Sequence, residues 1–148
     1  MKRFKFTIQS LLNYKETLER TQKAELRRAQ QALRELLDEE QRLLRAYANN
    51  ERSLERALRI GKNVGAALTE HDAYFRYLRD ALTELRERIA KAEKVRDRCM
   101  EILVKTMREI KTYNKLKEEQ FRAYLKEVKA EEDKAVDDLL SFKTASNM

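Results

Sequence analysis

The segment Gly61-Lys62-Asn63-Val64-Gly65-Ala66-Ala67-Leu68-Thr69 sets the topology, because it holds both glycines of a 148-residue chain that contains no proline. Glycine costs about 1 kcal/mol relative to alanine inside a helix. A glycine pair between two long helical patterns therefore indicates a turn. Helical periodicity precedes this segment from about Ile8 and follows it to about Phe142. The sequence predicts helix one over about 8–60, a turn over 61–69 and helix two over about 70–142.

The composition is that of a long helix rather than an ordinary globular domain. Charged residues make up 40% of the chain, whereas a typical soluble domain is about a quarter charged. Richness in Ala, Glu, Lys, Leu and Arg with helical periodicity is typical of coiled coils. We therefore predict an all-α fold in which residues 1–148 form a single antiparallel coiled-coil hairpin with the second helix longer.

Apolar residues that step alternately by four and three predict the seam of this hairpin. In helix one the seam runs through Ala29, Leu33, Leu36, Glu40, Leu43, Tyr47, Asn50, Leu54 and Ala57. In helix two it runs through Phe75, Leu78, Leu82, Leu85, Ile89, Ala92, Arg96, Cys99, Leu103, Thr106, Ile110, Tyr113, Lys117, Phe121, Tyr124, Val128, Ala135, Leu139 and Phe142. Polar residues in such a seam set register at some cost in stability. Glu40 and Asn50 are predicted to have that role.

Helix two extends beyond the reach of helix one. With Thr69 as its N-cap and Asp72 completing a loose capping box, and with the turn centred near residue 65, Ile8 faces about Phe121. The stretch after about Lys126 then lacks an intramolecular partner but keeps an apolar stripe of Val128, Ala135, Leu139, Leu140 and Phe142. This stripe is a candidate docking surface; fraying and pairing between copies are the alternatives.

Charge is distributed unevenly along helix two, and the formal net charge is +7. Between Lys105 and Lys117 five basic residues accompany Glu109 alone, whereas acidic residues dominate between Glu127 and Asp138. A basic excess favours an acidic partner, a polynucleotide or an anionic surface. A solvated face is the alternative.

The sequence offers little for catalysis. It has one histidine and one cysteine, and no Gly-rich phosphate loop. We expect His71 to lie exposed in the first turn of helix two, and Cys99 to be a small buried hydrophobe. No stretch approaches the length and apolarity of a spanning helix or a signal peptide. We therefore predict no enzymatic activity, no cofactor, no metal and no small-molecule substrate, in a protein that stays in the cytosol.

Two motifs carry a family resemblance. The opening Phe4-x-Phe6-x-Ile8-Gln9-x-x-Leu12-x-Tyr14-Lys15-Glu16, and Tyr74-x-x-Tyr77-Leu78 after the turn, resemble the FliJ family of flagellar export proteins. The resemblance implies a cytoplasmic component of the bacterial flagellar type III secretion apparatus, associated peripherally with the inner membrane at the flagellar base. It implies three kinds of partner: the export ATPase, the cytoplasmic domain of the export gate, and export chaperones.

The resemblance also implies two contact surfaces, since family members resemble the stalk of rotary ATPases. The surface facing the ATPase ring comprises Phe4, Phe6, Ile8, Leu12, Tyr14, Phe121, Tyr124, Val128 and Leu139. The surface facing the export gate comprises Tyr74, Tyr77, Leu78 and Ala81. Tyr74, Phe75 and Tyr77 are either exposed anchors or a clamp that packs across the turn.

Two other functions remain open on the sequence alone. A basic helical hairpin could bind nucleic acid through the stretch from Lys105 to Lys117, although the resemblance makes nucleic acid an unexpected partner. A general coiled-coil chaperone would fit the bare stripe, but it explains neither the opening motif nor the unequal helices.

Overall fold

A computed structural model describes residues 8–146, and two helices account for nearly all of them. Helix α1 covers Gln9–Ile60 and helix α2 covers Val64–Ser146. The two helices pack against each other as a hairpin, and α2 is the longer at 83 residues against 52. The predicted all-α hairpin with a longer second helix is therefore confirmed.

The turn between the helices consists of residues 61–63. Gly61 adopts a φ of 74° and donates its backbone N–H to the carbonyl of Ala57 at 3.2 Å. This is the left-handed cap with which many helices end, and glycine favours it because it has no Cβ. Asn63 has a φ of 51°, which asparagine tolerates better than most residues, and its carbonyl accepts the N–H of Ala67 at 3.0 Å. One glycine and one asparagine thus reverse the chain.

The predicted turn over 61–69 was too long, and the predicted capping box was wrong. Helix α2 begins at Val64, so Gly65 lies within its first turn. A Cβ added to Gly65 would meet no atom within 4 Å, so neither space nor backbone conformation requires glycine there. Thr69 is not a cap, because its hydroxyl donates to the carbonyl of Gly65 at 2.9 Å within the helix. Only Gly61 of the two glycines has the role that the sequence suggested.

Residues 22–102 form one of two compact units, and its seam is the predicted one. Leu33, Leu85 and Ile89 form a buried cluster, against which Leu36, Leu43 and Ala92 pack. Burying a large aliphatic side chain contributes about 1.5–3 kcal/mol. Apolar contacts along the seam therefore provide most of the stability of this unit.

Polar contacts across the same unit fix its register. Asn50 donates its side-chain N–H to the carbonyl of His71 at 3.0 Å, and Arg86 donates to Glu40 at 3.3 Å. Both seam positions that were predicted to set register thus make a polar contact with the other helix. The prediction for His71 was wrong: the side chain is half-buried, and its Nε2 lies 3.2 Å from the hydroxyl of Ser53.

The tautomer of His71 follows from its second contact. Its Nδ1 lies 2.7 Å from the carbonyl of Ala67, and a carbonyl can only accept a hydrogen bond. Nδ1 therefore carries a proton, and in the neutral ring Nε2 accepts from the hydroxyl of Ser53. The sequence does not predict this contact, because helical periodicity identifies apolar stripes and does not identify polar groups at their margins.

The second unit combines residues 8–21 with residues 103–146. Leu12, Leu103 and Thr106 are buried in it. Lys15 forms an ion pair with Glu109, and the two side chains are 19% and 28% exposed. Their hydrogen bond lowers the pKa of the Glu109 carboxyl and raises the pKa of the Lys15 ammonium, because each charge favours the ionised form of the other. The pair links α1 to α2 in this unit.

This ion pair also corrects the predicted alignment. Lys15 lies beside Glu109, so Ile8, seven residues earlier, lies near Leu116 rather than near Phe121. The difference arises because α2 begins at Val64 instead of about residue 70. The first turn of α1 therefore lies beside an earlier part of α2 than expected. That residues 1–148 behave as a single domain stays a prediction.

Candidate interaction surfaces

The last turns of α2 form a bare helix. Every described residue from 131 to 146 is exposed, although the helix continues to Ser146. We call residues 131–146 the overhang. Its large apolar side chains are more than half exposed: Val136 54%, Leu139 68%, Leu140 57% and Phe142 72%. The predicted bare stripe is confirmed for this segment, whereas its use in docking stays a prediction.

The other residues assigned to the ring-facing surface differ in accessibility. Tyr14 is 61% exposed and Phe121 is 43% exposed, while Ile8, Tyr124 and Val128 are half-buried. Leu12 is only 1% exposed, so it is a core residue and is not accessible to a partner in this structure. Phe4 and Phe6 lie outside the described residues.

Phe121 lies beside the seam rather than in it, which corrects the predicted stripe. Gln120 is half-buried at the level where Phe121 was expected. The rings of Phe121 and Tyr124 lie 6.5 Å apart and nearly parallel, at 28°. An aromatic pair with one exposed and one half-buried member is therefore present where the buried seam ends.

The proposed gate-facing surface lies in the unit of residues 22–102. Tyr74 and Tyr77 are 44% and 64% exposed, with ring centroids 6.1 Å apart. Ala81 is half-buried on the same side of the helix, since the spacings of three and four residues keep these positions on one face. Leu78 is fully buried in the seam, so the structure removes it from the accessible surface. The surface consists of two exposed tyrosines and one small residue.

The aromatic cluster divides between the two interpretations: Phe75 lies between the helices, whereas Tyr74 and Tyr77 are exposed and their use as anchors stays a prediction. Phe75 packs on Tyr47 of α1 with ring centroids 4.8 Å apart, so it helps to clamp the two helices together. Tyr74 and Tyr77 remain accessible. Exposed tyrosines are frequent energetic centres of protein interfaces, because one ring combines a large apolar area with a hydroxyl.

An open depression of about 680 Å³ lies on α2 near the turn. Leu68, Thr69, Asp72, Ala73 and Arg76 line it, and Arg76 pairs with Asp72 at 3.1 Å. Small-molecule sites are usually concave and largely apolar. This depression lies on the surface of one helix and carries a charged pair, so its form suits a protein contact.

Between residues 8 and 146, no group of three or more histidine, cysteine, aspartate or glutamate side chains is arranged to hold a metal ion. Neither α1 nor α2, as described, combines the length and apolarity that crossing a membrane requires.

Comparison with known proteins identifies the family. The model of a family described as Flagellar FliJ protein matches residues 4–148. No curated protein and no solved structure matches the chain. The match spans both helices and includes the opening motif and Tyr74-x-x-Tyr77-Leu78. The chain therefore belongs to the flagellar FliJ family, which makes it a component of the flagellar export apparatus.

Proposed function

We propose that this protein is a non-enzymatic stalk that couples the flagellar export ATPase ring to the cytoplasmic domain of the export gate. It acts in the cytoplasm at the flagellar base, and it escorts export chaperones as a secondary role. The overhang enters the ring, and the tyrosine pair near the turn contacts the gate. Membership of the FliJ family supports the setting. The accessibility of the two surfaces supports the division of roles.

The observation that carries the proposal is the exposure of the overhang. Leu139 and Phe142 are 68% and 72% exposed on a helix that nevertheless persists to Ser146. A partner that covered such side chains would gain about 1.5–3 kcal/mol for each one fully buried. A long apolar stripe left in water is therefore typical of a surface that another protein covers.

The tyrosine pair suits a second, smaller contact. Tyr74 and Tyr77 offer two exposed rings on one helical face beside the half-buried Ala81. The depression lined by Asp72 and Arg76 lies on the same segment of α2. A partner that buried the two rings would find both apolar area and polar groups within a few residues.

Two double variants test the ring contact and the gate contact separately. Leu139→Asp/Phe142→Asp should abolish stimulation of the purified export ATPase, because a charge at each position opposes burial. Tyr74→Ala/Tyr77→Ala should retain that stimulation but lose binding to the purified gate domain. Circular dichroism should show that both variants remain helical. Undiminished ATPase stimulation by the overhang variant would overturn the proposed ring contact.

The two alternative functions are tested alongside. A nucleic-acid-binding hairpin should shift an oligonucleotide in a gel, with an affinity that falls steeply with salt. A general chaperone should suppress the aggregation of many unrelated proteins. Family membership favours the stalk over both alternatives.

A further inference from the structure

A row of basic side chains runs along the outside of α2, in the unit of residues 8–21 and 103–146. Arg108, Lys115, Arg122 and Lys129 recur at intervals of seven residues. A seven-residue interval returns to almost the same face of a helix, with a drift of only about 20°. Lys111 and Lys126 lie three or four residues from members of this set and widen it on the same side. We call these six residues the basic row.

The basic row faces away from α1. Arg108, Lys115 and Arg122 each follow a buried or half-buried residue by two positions, namely Thr106, Tyr113 and Gln120. Two residues turn an α-helix by about 200°, so the row lies almost opposite the seam. All six side chains are exposed. From Arg108 to Lys129 the row is about 30 Å long.

Few acidic side chains offset the row. Glu109, the one acidic residue between Lys105 and Lys117, pairs with Lys15. Glu118 lies 3.8 Å from Arg122, in an exposed pair that solvent screens strongly. Glu119 and Glu127 are the other exposed carboxylates within the span of the row, and acidic residues follow its end at Lys129. Between residues 108 and 129, seven lysines and arginines against four glutamates leave an excess of three positive charges.

We propose that the basic row binds the surface of an anionic lipid bilayer, with α2 lying along the membrane. A straight set of basic side chains on one helical face suits a flat, extended anionic surface, and clusters of four to eight such residues are typical of binding to anionic lipids. Single-stranded nucleic acid is usually held by aromatic rings between the basic groups. Thr112, Glu119 and Ala123 are the exposed residues interleaved with the row on the same face, and none is aromatic, so the chemistry favours lipid.

Lipid binding by the basic row requires neither the ATPase nor the gate, so it is separate from the stalk function. Direct contact with lipid would hold the protein at the membrane before it engaged either protein partner. The test therefore uses purified full-length chain and vesicles free of other proteins. If the chain does not bind the vesicles, only the proposed lipid contact is ruled out, and the proposed contacts with the ATPase and the gate still stand.

Flotation with vesicles tests the proposal. The wild-type chain should float with vesicles that contain phosphatidylglycerol and should not float with vesicles of phosphatidylcholine alone. Raising the salt from about 0.1 M to about 1 M should release it, because the Debye length falls from about 10 Å to about 3 Å. Arg108→Gln/Lys115→Gln/Arg122→Gln/Lys129→Gln should lower partitioning at least about tenfold, since each basic side chain near such a surface contributes roughly fivefold.

A matched control variant removes four positive charges from α1 instead of from the basic row. Arg27→Gln/Arg34→Gln/Arg45→Gln/Arg52→Gln also neutralises four exposed arginines in pairs seven residues apart, and it should change partitioning less than about twofold. Absence of flotation by the wild-type chain, or equal losses in both variants, would overturn the proposal. Oligonucleotide binding that depends on the row, without vesicle binding, would overturn it in favour of a polynucleotide site. Circular dichroism should confirm that both variants remain helical.

Discussion

Two parts of helix α2 differ in burial although both carry apolar residues at helical spacing. Between residues 78 and 89, Leu78, Leu82, Leu85 and Ile89 are all less than a tenth exposed. Between residues 131 and 146 every residue is exposed, including Leu139 and Phe142. The first part packs against α1, and no described residue covers the second. An apolar stripe therefore identifies the face of a helix that can be buried, while the position of the turn decides which part of that face stays exposed.

The largest expected change in stability comes from a substitution between residues 78 and 89, the part of α2 that packs against α1. Leu85→Ala should lower the free energy of unfolding by about 2–5 kcal/mol, because it leaves a cavity in the buried cluster with Leu33 and Ile89. Leu139→Ala removes a similar side chain from the overhang and should change stability by less than about 0.5 kcal/mol. Urea unfolding followed by circular dichroism measures both. Equal losses would mean that the overhang is covered in the free protein.

A buried polar residue of α1 should give a change in stability of the opposite sign. Gln22 is 8% exposed, and its Oε1 has no hydrogen-bond partner among the described residues. An unsatisfied buried acceptor costs about 1–3 kcal/mol, so Gln22→Leu should raise the free energy of unfolding by an amount in that range. The matched change at an exposed position, Gln41→Leu, should have little effect. A destabilised Gln22→Leu variant would contradict the description of the Gln22 Oε1 as an unsatisfied buried acceptor.

The two glycines provide the next comparison, because the same substitution should act with opposite sign. Gly61→Ala forces a Cβ into a left-handed residue and should cost about 1–2 kcal/mol. Gly65→Ala removes glycine from an unobstructed helical position and should stabilise the chain by about 0.5–1 kcal/mol. Thermal unfolding of the two variants distinguishes these outcomes. Destabilisation by both would indicate that the turn extends to Gly65, as the sequence first suggested.

The smallest effect concerns pH and the pair Lys15–Glu109. Because the pKa of Glu109 lies below its ordinary value of 4.5, its contribution to stability is complete above about pH 4.5 and is lost as the pH falls through the lowered pKa. The pKa of Lys15 lies above 10.5, so its contribution is complete below that pH and is lost as the pH rises further. Glu109→Gln should therefore be less stable than wild type at neutral pH, and the difference should shrink in acid.

A control for this pH effect lies on the same helix. Glu118→Gln alters an exposed pair with Arg122 within α2 and should leave the stability nearly unchanged at neutral pH. Denaturant titrations at neutral and acid pH measure both variants. A difference between wild type and Glu109→Gln that persists undiminished in strong acid would contradict an electrostatic origin.

Much of the molecule follows from its sequence alone. The apolar spacing of Leu33, Leu85 and Ile89 determined that the fold is a helical hairpin, because only one face of each helix needs cover. The unequal lengths on the two sides of the glycines determined that a bare stripe would remain near Leu139. The opening motif and the tyrosines after the turn led to the family.

Tertiary structure decided the rest, because it depends on which groups meet across the two helices. A helix can end with one left-handed residue, so only the folded backbone showed that Gly61 has this role and that Gly65 does not. Only the folded chain showed that Lys15 lies beside Glu109. It also showed that Gln120, rather than Phe121, is half-buried near the end of the seam. Periodicity fixes the face on which a residue lies, whereas exposure depends on what the other helix covers.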